Sequence, residues 1–69
     1  IKRNAIRCNF CGKELESTHV HDYRTHACAA LEAAYPDHPQ PGIMVDGGRE
    51  YLRRGFVRAT DCTEISEYE

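Results

Sequence analysis

The sequence predicts a small α+β domain of short β-hairpins with one inserted helix, held together by a staple rather than by the size of its core. Three observations lead there. Cys8 and Cys11 stand two residues apart with Gly12 directly after them, residues 13–25 alternate loosely in hydropathy, and residues 27–35 form an alanine-rich run. Length sharpens the argument. Ordering a chain costs roughly 1.5 kcal/mol per residue, and apolar burial offsets this at only about 25 cal/mol per Å². With 69 residues and its larger apolar side chains scattered from Ile6 to Val57, the core is marginal. Chains of this size commonly need disulfides, a metal or a partner.

Ala5 and Ile6 lead a short strand over residues 1–7 into the cysteine pair. Leu15, Ser17, His19, His21 and Tyr23 fall on one parity, so residues 13–25 read as a hairpin or two short strands. In residues 27–35 alanine favours helix, Leu31 and Tyr35 share a face four apart, and Pro36 ends the run. Pro36 to Gly42 holds three prolines and a glycine and reads as a stiff loop. Ile43, Met44 and Val45 form a compact apolar run, expected as a buried strand. Asp46-Gly47-Gly48 then reads as a tight turn, because glycine supplies positive φ without strain. Residues 49–58 follow as a return strand or as a short helical turn closed by Gly55.

Residues 1–60 therefore read as one domain. They hold all nine basic side chains against seven acidic ones, while residues 61–69 hold four acids and no base. That end is expected as a solvated acidic tail. A mildly basic body with an acidic end is not the strong footprint of a nucleic-acid binder.

Two residues between Cys8 and Cys11 let both sulfurs reach one ion from a tight turn. Gly12 lets the chain reverse there, so that backbone N–H groups point at the thiolates. Zn2+ takes four ligands in a tetrahedron, and structural sites use cysteine and histidine. Of His19, His21, His26, Cys28, His38 and Cys62, the pair His26 and Cys28 suits a second tight turn best. His19 and His21, on one side of a strand, are the alternative. The expected ligand set is Cys8, Cys11, His26 and Cys28 around a structural Zn2+. Cys28 also opens the alanine-rich helix, where free N–H groups favour a thiolate. Cys62 is expected as a free thiol. A redox-active Cys-x-x-Cys lacks the βαβ pattern that would support it.

No apolar run approaches the roughly 20 residues that cross a bilayer, and nothing resembles the apolar core of a signal peptide. These points suggest a reducing cytoplasm, where clustered cysteines favour metal over disulfides. Two disulfides remain the alternative if the chain is a processed secreted protein.

The stretches Lys2 to Gly12, His21-Asp22, His26-Ala27-Cys28 and Val45 to Arg54 resemble a group of short uncharacterised proteins of bacteriophage and prophage genomes. The resemblance implies a zinc-ribbon-like domain in a host cytoplasm, without an assigned activity. Histidine stands at the position of that group's third cysteine, which zinc tolerates. Residues 29–42, the helix and proline loop, look like an insertion where the group has a short turn.

Three function classes follow. Four protein ligands leave no open position for substrate water, so an enzyme is not expected. The enzymatic alternative is an HNH-like nuclease, with a Cys-x-x-Cys before a strand histidine such as His21, but that class also needs a histidine or asparagine on a following helix, and ALEAAY offers neither. A nucleic-acid-binding zinc ribbon would use arginines to neutralise phosphates and Phe10 or Tyr51 to stack on bases. The favoured class is an accessory protein that binds a host protein or complex, in host takeover or defence inhibition, as the resemblance suggests. Tyr51, Arg53 and Arg54 are its candidate binding residues, and homodimerisation is a further way to gain burial.

Overall fold

The computed structural model describes residues 1–68 and contains two three-stranded antiparallel sheets, one short α-helix and one 3-10 turn. The strands are β1 (Asn4–Cys8), β2 (Glu14–Ser17), β3 (Arg24–His26), β4 (Ile43–Asp46), β5 (Arg53–Gly55) and β6 (Cys62–Glu64). The helix α1 spans Ala29–Ala34, and the 3-10 turn spans Ala59–Asp61. The first sheet has the order β2-β1-β6 and the second β3-β4-β5.

Each central strand is the one whose sequence tolerates burial along most of its length. In β1 only Arg7 is exposed, and in β4 Ile43, Val45 and Asp46 are buried with Met44 half-buried. Ile6, Cys8 and Leu15 from the first sheet meet Ile43 and Val45 from the second, and Leu31 of α1 closes the core. That is a small apolar set, as the length argument requires. Segment 29–42 is thus no mere appendage, because Leu31 is fully buried and Tyr35 packs against the core.

Polar side chains join the sheets. The Asn4 amide nitrogen, wholly buried, donates to the carbonyls of Asp46 (3.0 Å), Gly48 (2.8 Å) and Tyr51 (3.2 Å). The Ser17 hydroxyl accepts from the Gly48 N–H at 2.9 Å and donates to the Asp22 carbonyl at 2.7 Å. Gly47 and Gly48 both have positive φ, 101° and 53°, so the expected turn is present. Asp22 receives hydrogen bonds from the Thr18 backbone and hydroxyl, both at 2.9 Å, and pairs with Arg24 at 2.7 Å. The Thr18 amide first, then Arg24, hold its carboxyl down at about 2.

Two choices left open by the sequence are resolved, and the acidic end is paired with the body rather than free. Residues 13–25 are two short strands in different sheets, since β2 pairs with β1 and β3 pairs with β4. Parity fails between them because residues 18–22 turn, burying Asp22 while His19 and His21 are exposed. The stretch after residue 60 packs on the rest of the chain. Cys62–Glu64 form an edge strand on β1, Arg3 bridges to Glu67, and Asp61 is wholly buried. The acids there are neutralised locally: Arg54 makes a two-pronged pair with Glu64 at 2.5 and 2.9 Å. Glu69, the last residue of the expected tail, lies outside the described residues. Residues 53–55 are a strand, which settles the choice left open for 49–58.

Candidate metal centre

The Cys8-x-x-Cys11-Gly12 turn leaves the end of β1 and folds back on itself. The Gly12 N–H donates to the Cys8 carbonyl at 2.8 Å and the Cys8 N–H to the Lys13 carbonyl at 2.8 Å, with Gly12 at φ 82°. An L side chain is strained at that angle, so the glycine is what allows the reversal. Facing this turn, His26 ends β3 and Cys28 occupies the extended position just before α1. The sheet pairing that sets His26 opposite Ile43 therefore delivers the second half of the site.

The donor atoms of Cys8, Cys11, His26 and Cys28 all lie within 4.8 Å of one another. Cys8 Sγ is 4.0 Å from Cys28 Sγ, and Cys11 Sγ is 3.1 Å from His26 Nε2. A tetrahedral ion with metal–sulfur bonds of about 2.3 Å holds its sulfurs roughly 3.8 Å apart, so the donor set fits such an ion. Cys8 is buried, His26 and Cys28 are half-buried, and Cys11 is exposed. All four cysteines are free thiols rather than disulfides.

Electrostatics favour a cation here. Burial pushes the Cys8 thiol up, but the N–H groups of Phe10 and Cys11, with the neighbouring thiols, outweigh it and leave Cys8 below its ordinary value. At Cys11 the Lys13 N–H favours the thiolate. Desolvation and the adjacent Cys8 and Cys28 sulfurs win, and the thiol lies above its ordinary value. The sulfurs thus compete for one negative charge, and a bound cation would remove that repulsion. Four protein donors leave no open coordination position, which suits a structural role.

Behind the knuckle lies a support that the sequence did not reveal. The Asp61 carboxylate accepts from the N–H groups of Val57 (3.0 Å) and Arg58 (2.8 Å) and from the Tyr35 hydroxyl. Its own carbonyl accepts the Asn9 N–H at 2.9 Å. The Asn9 side chain donates to the Thr60 carbonyl at 3.0 Å and accepts from Thr63 at 2.6 Å. Asn9 sits between the two cysteines, so these bonds fix the knuckle to residues 60–63. The bond to Asp61, with burial, raises the Tyr35 hydroxyl above its ordinary value. An acid in a polar stretch carried no signal of this before the β1–β6 pairing was known.

The remaining candidates fall elsewhere. His19, His21, His38 and Cys62 are outside the donor group. Tyr51 is 45% exposed, while its backbone carbonyl is held by Asn4. Arg53 is exposed and reaches Asp46 at 3.4 Å. Arg54 keeps only 13% side-chain exposure and is occupied by Glu64, Ser66 and the Arg53 carbonyl. It ties the second sheet to the first rather than offering a free cation.

Cys8→Ser and Cys11→Ser are expected to destabilise the protein by more than about 4 kcal/mol, as loss of a structural metal does. His19→Ala and His21→Ala, on exposed turn residues, should stay within about 0.5 kcal/mol. Denaturant melts of the four variants check this, and equal losses would overturn the ligand assignment.

A family model described as a domain of unknown function, DUF7695, matches residues 1–32. The matched segment carries β1 to β3 and all four donors. No curated protein and no solved structure matches the chain.

Proposed function

We propose that this chain is a binding module whose fold is stapled by a structural Zn2+ on Cys8, Cys11, His26 and Cys28. In this reading it is a phage-type, zinc-ribbon-like accessory protein of a reducing host cytoplasm that acts by engaging a host protein or complex rather than by catalysis. The mixed sulfur and nitrogen donor set supports zinc over calcium or magnesium, which prefer oxygen. Among the described residues no helix is long and apolar enough to cross a membrane.

One observation carries the binding reading. Tyr23 and Phe56, 57% and 45% exposed, flank an open cleft of about 410 Å³ on the second sheet. Met44, Gly42, Pro41 and the ligand His26 also line it, which places the proline loop at its rim. Exposed aromatics around a concave, partly apolar surface are what protein hot spots are made of. Nucleic acid is the alternative, and the arginines argue against it. Arg3, Arg24, Arg53 and Arg54 are each paired with carboxylates, which lowers the charge left for phosphates.

Binding to mixed-sequence DNA and RNA at low and physiological salt separates the two. The expected result is no micromolar binding at physiological salt. A protein partner captured from host lysate should lose roughly 2 kcal/mol of affinity on Phe56→Ala, with the fold intact. Micromolar nucleic-acid binding that survives physiological salt and disappears with Arg53→Ala would replace this reading with the alternative.

A further inference from the structure

The β1–β6 register sets Cys8 directly opposite Cys62. Hydrogen bonds place this pair within the ladder: the Asn9 N–H donates to the Asp61 carbonyl at 2.9 Å, and the Ile65 N–H to the Ala5 carbonyl at 3.1 Å. Hydrogen-bonded pairs therefore fall at Asn9 with Asp61 and Ala5 with Ile65, and alternation makes Cys8 and Cys62 a non-hydrogen-bonded pair. In such pairs the side chains share a face and the Cα atoms are about 4.5 Å apart. A disulfide needs Cα atoms roughly 4.4–6.8 Å apart, so the strands can carry this one without moving. Both residues are free thiols, Cys8 in the core and Cys62 packed against it. Cys62 is the one cysteine outside the donor group.

We propose that Cys8 and Cys62 form a disulfide under oxidation, and that this bond replaces the metal as the fastening of β1. The two fastenings exclude each other, because a sulfur in a disulfide is no longer an anionic ligand. The pairing rests on the strand register alone, whereas the exclusion rests on the metal reading above. With hydrogen peroxide as oxidant, the Cys62 sulfur takes one peroxide oxygen as the O–O bond breaks, giving a sulfenic acid and one water. The Cys8 sulfur then attacks the Cys62 sulfur. The S–S bond forms, the S–OH bond breaks, and the hydroxyl leaves as a second water with the thiol proton or one from solvent. Two electrons pass from the sulfurs to the peroxide. Cys11, His26 and Cys28 are left as three donors, too few for a closed structural site.

The test oxidises the zinc-loaded chain with one equivalent of hydrogen peroxide, follows released metal with a zinc-responsive dye, and maps disulfides by mass spectrometry after alkylation. The expected main product links Cys8 to Cys62, with one Zn2+ released per bond, and Cys62→Ser should slow release at least about tenfold. A map dominated by bonds among Cys8, Cys11 and Cys28 would overturn the proposal, as would unchanged release from Cys62→Ser. The wild-type map needs no variant to fold. If the chain takes up no zinc yet forms the Cys8–Cys62 bond, the pairing stands and the metal reading falls.

Discussion

On the proposal that a structural zinc staples the fold, a strong chelator is expected to abolish cooperative unfolding. Structural zinc contributes an apparent free energy on the order of 10–16 kcal/mol in finger peptides, whereas whole domains are stable by only about 5–15 kcal/mol. The donors here come from three places: the end of β1 with its turn, the end of β3, and the residue before α1. An ion on them would fasten the two sheets and the helix together at one point. The buried apolar set is Ile6, Leu15, Leu31, Ile43 and Val45 with Ala5 and Cys8, which gives little to hold those parts when the ion leaves. Thermal melts followed by circular dichroism, with and without chelator, check this. The transition should vanish on chelation and return when zinc is restored in excess.

The second large effect is expected at Gly48. A Cβ there would overlap the His19 backbone, and φ at 53° is strained for a β-branched side chain. Gly48→Val should cost about 3–5 kcal/mol or prevent folding, since backbone in the way cannot rotate aside. Gly47→Val should behave similarly, because a Cβ at φ 101° would run into the Tyr51 carbonyl. The loss would come from the joint between the sheets, where Asn4 and Ser17 hold this turn. Urea melts of the zinc-loaded variants measure it; neutral substitutions would show that the turn has no such close approach.

What the sequence made legible was local. The knuckle follows from two cysteines at a fixed spacing and a glycine that allows positive φ. The helix end follows from Pro36, and the glycine turn from residues 46–48. His26 and Cys28 were legible as a second short-range pair, although no local rule sets them beside the first; that proximity comes from β3 pairing with β4. The misread parts depend on partners far along the chain. Asn4 reaches Gly48, Ser17 reaches Gly48 and Asn9 reaches Thr60, across separations of 44, 31 and 51 residues. An acidic, polar end such as 61–67 looks solvated until Arg3 and Arg54 are known to face it. Arg54 looked like a surface cation for the same reason. Period-two alternation in residues 13–25 marked extended chain, yet it carries no information about which sheet each half joins.

Cys8, Cys11, His26 and Cys28 are proposed to hold one tetrahedral ion. Titration of the reduced, metal-free chain with Co2+, followed by visible absorption, tests this, because tetrahedral thiolate-bound cobalt absorbs far more strongly than hydrated cobalt. Intense bands should grow in, saturate at one Co2+ per chain, bleach when zinc displaces the cobalt, and be lost or altered in Cys8→Ser. A spectrum that stays that of hydrated cobalt, or one unchanged by Cys8→Ser, would contradict it.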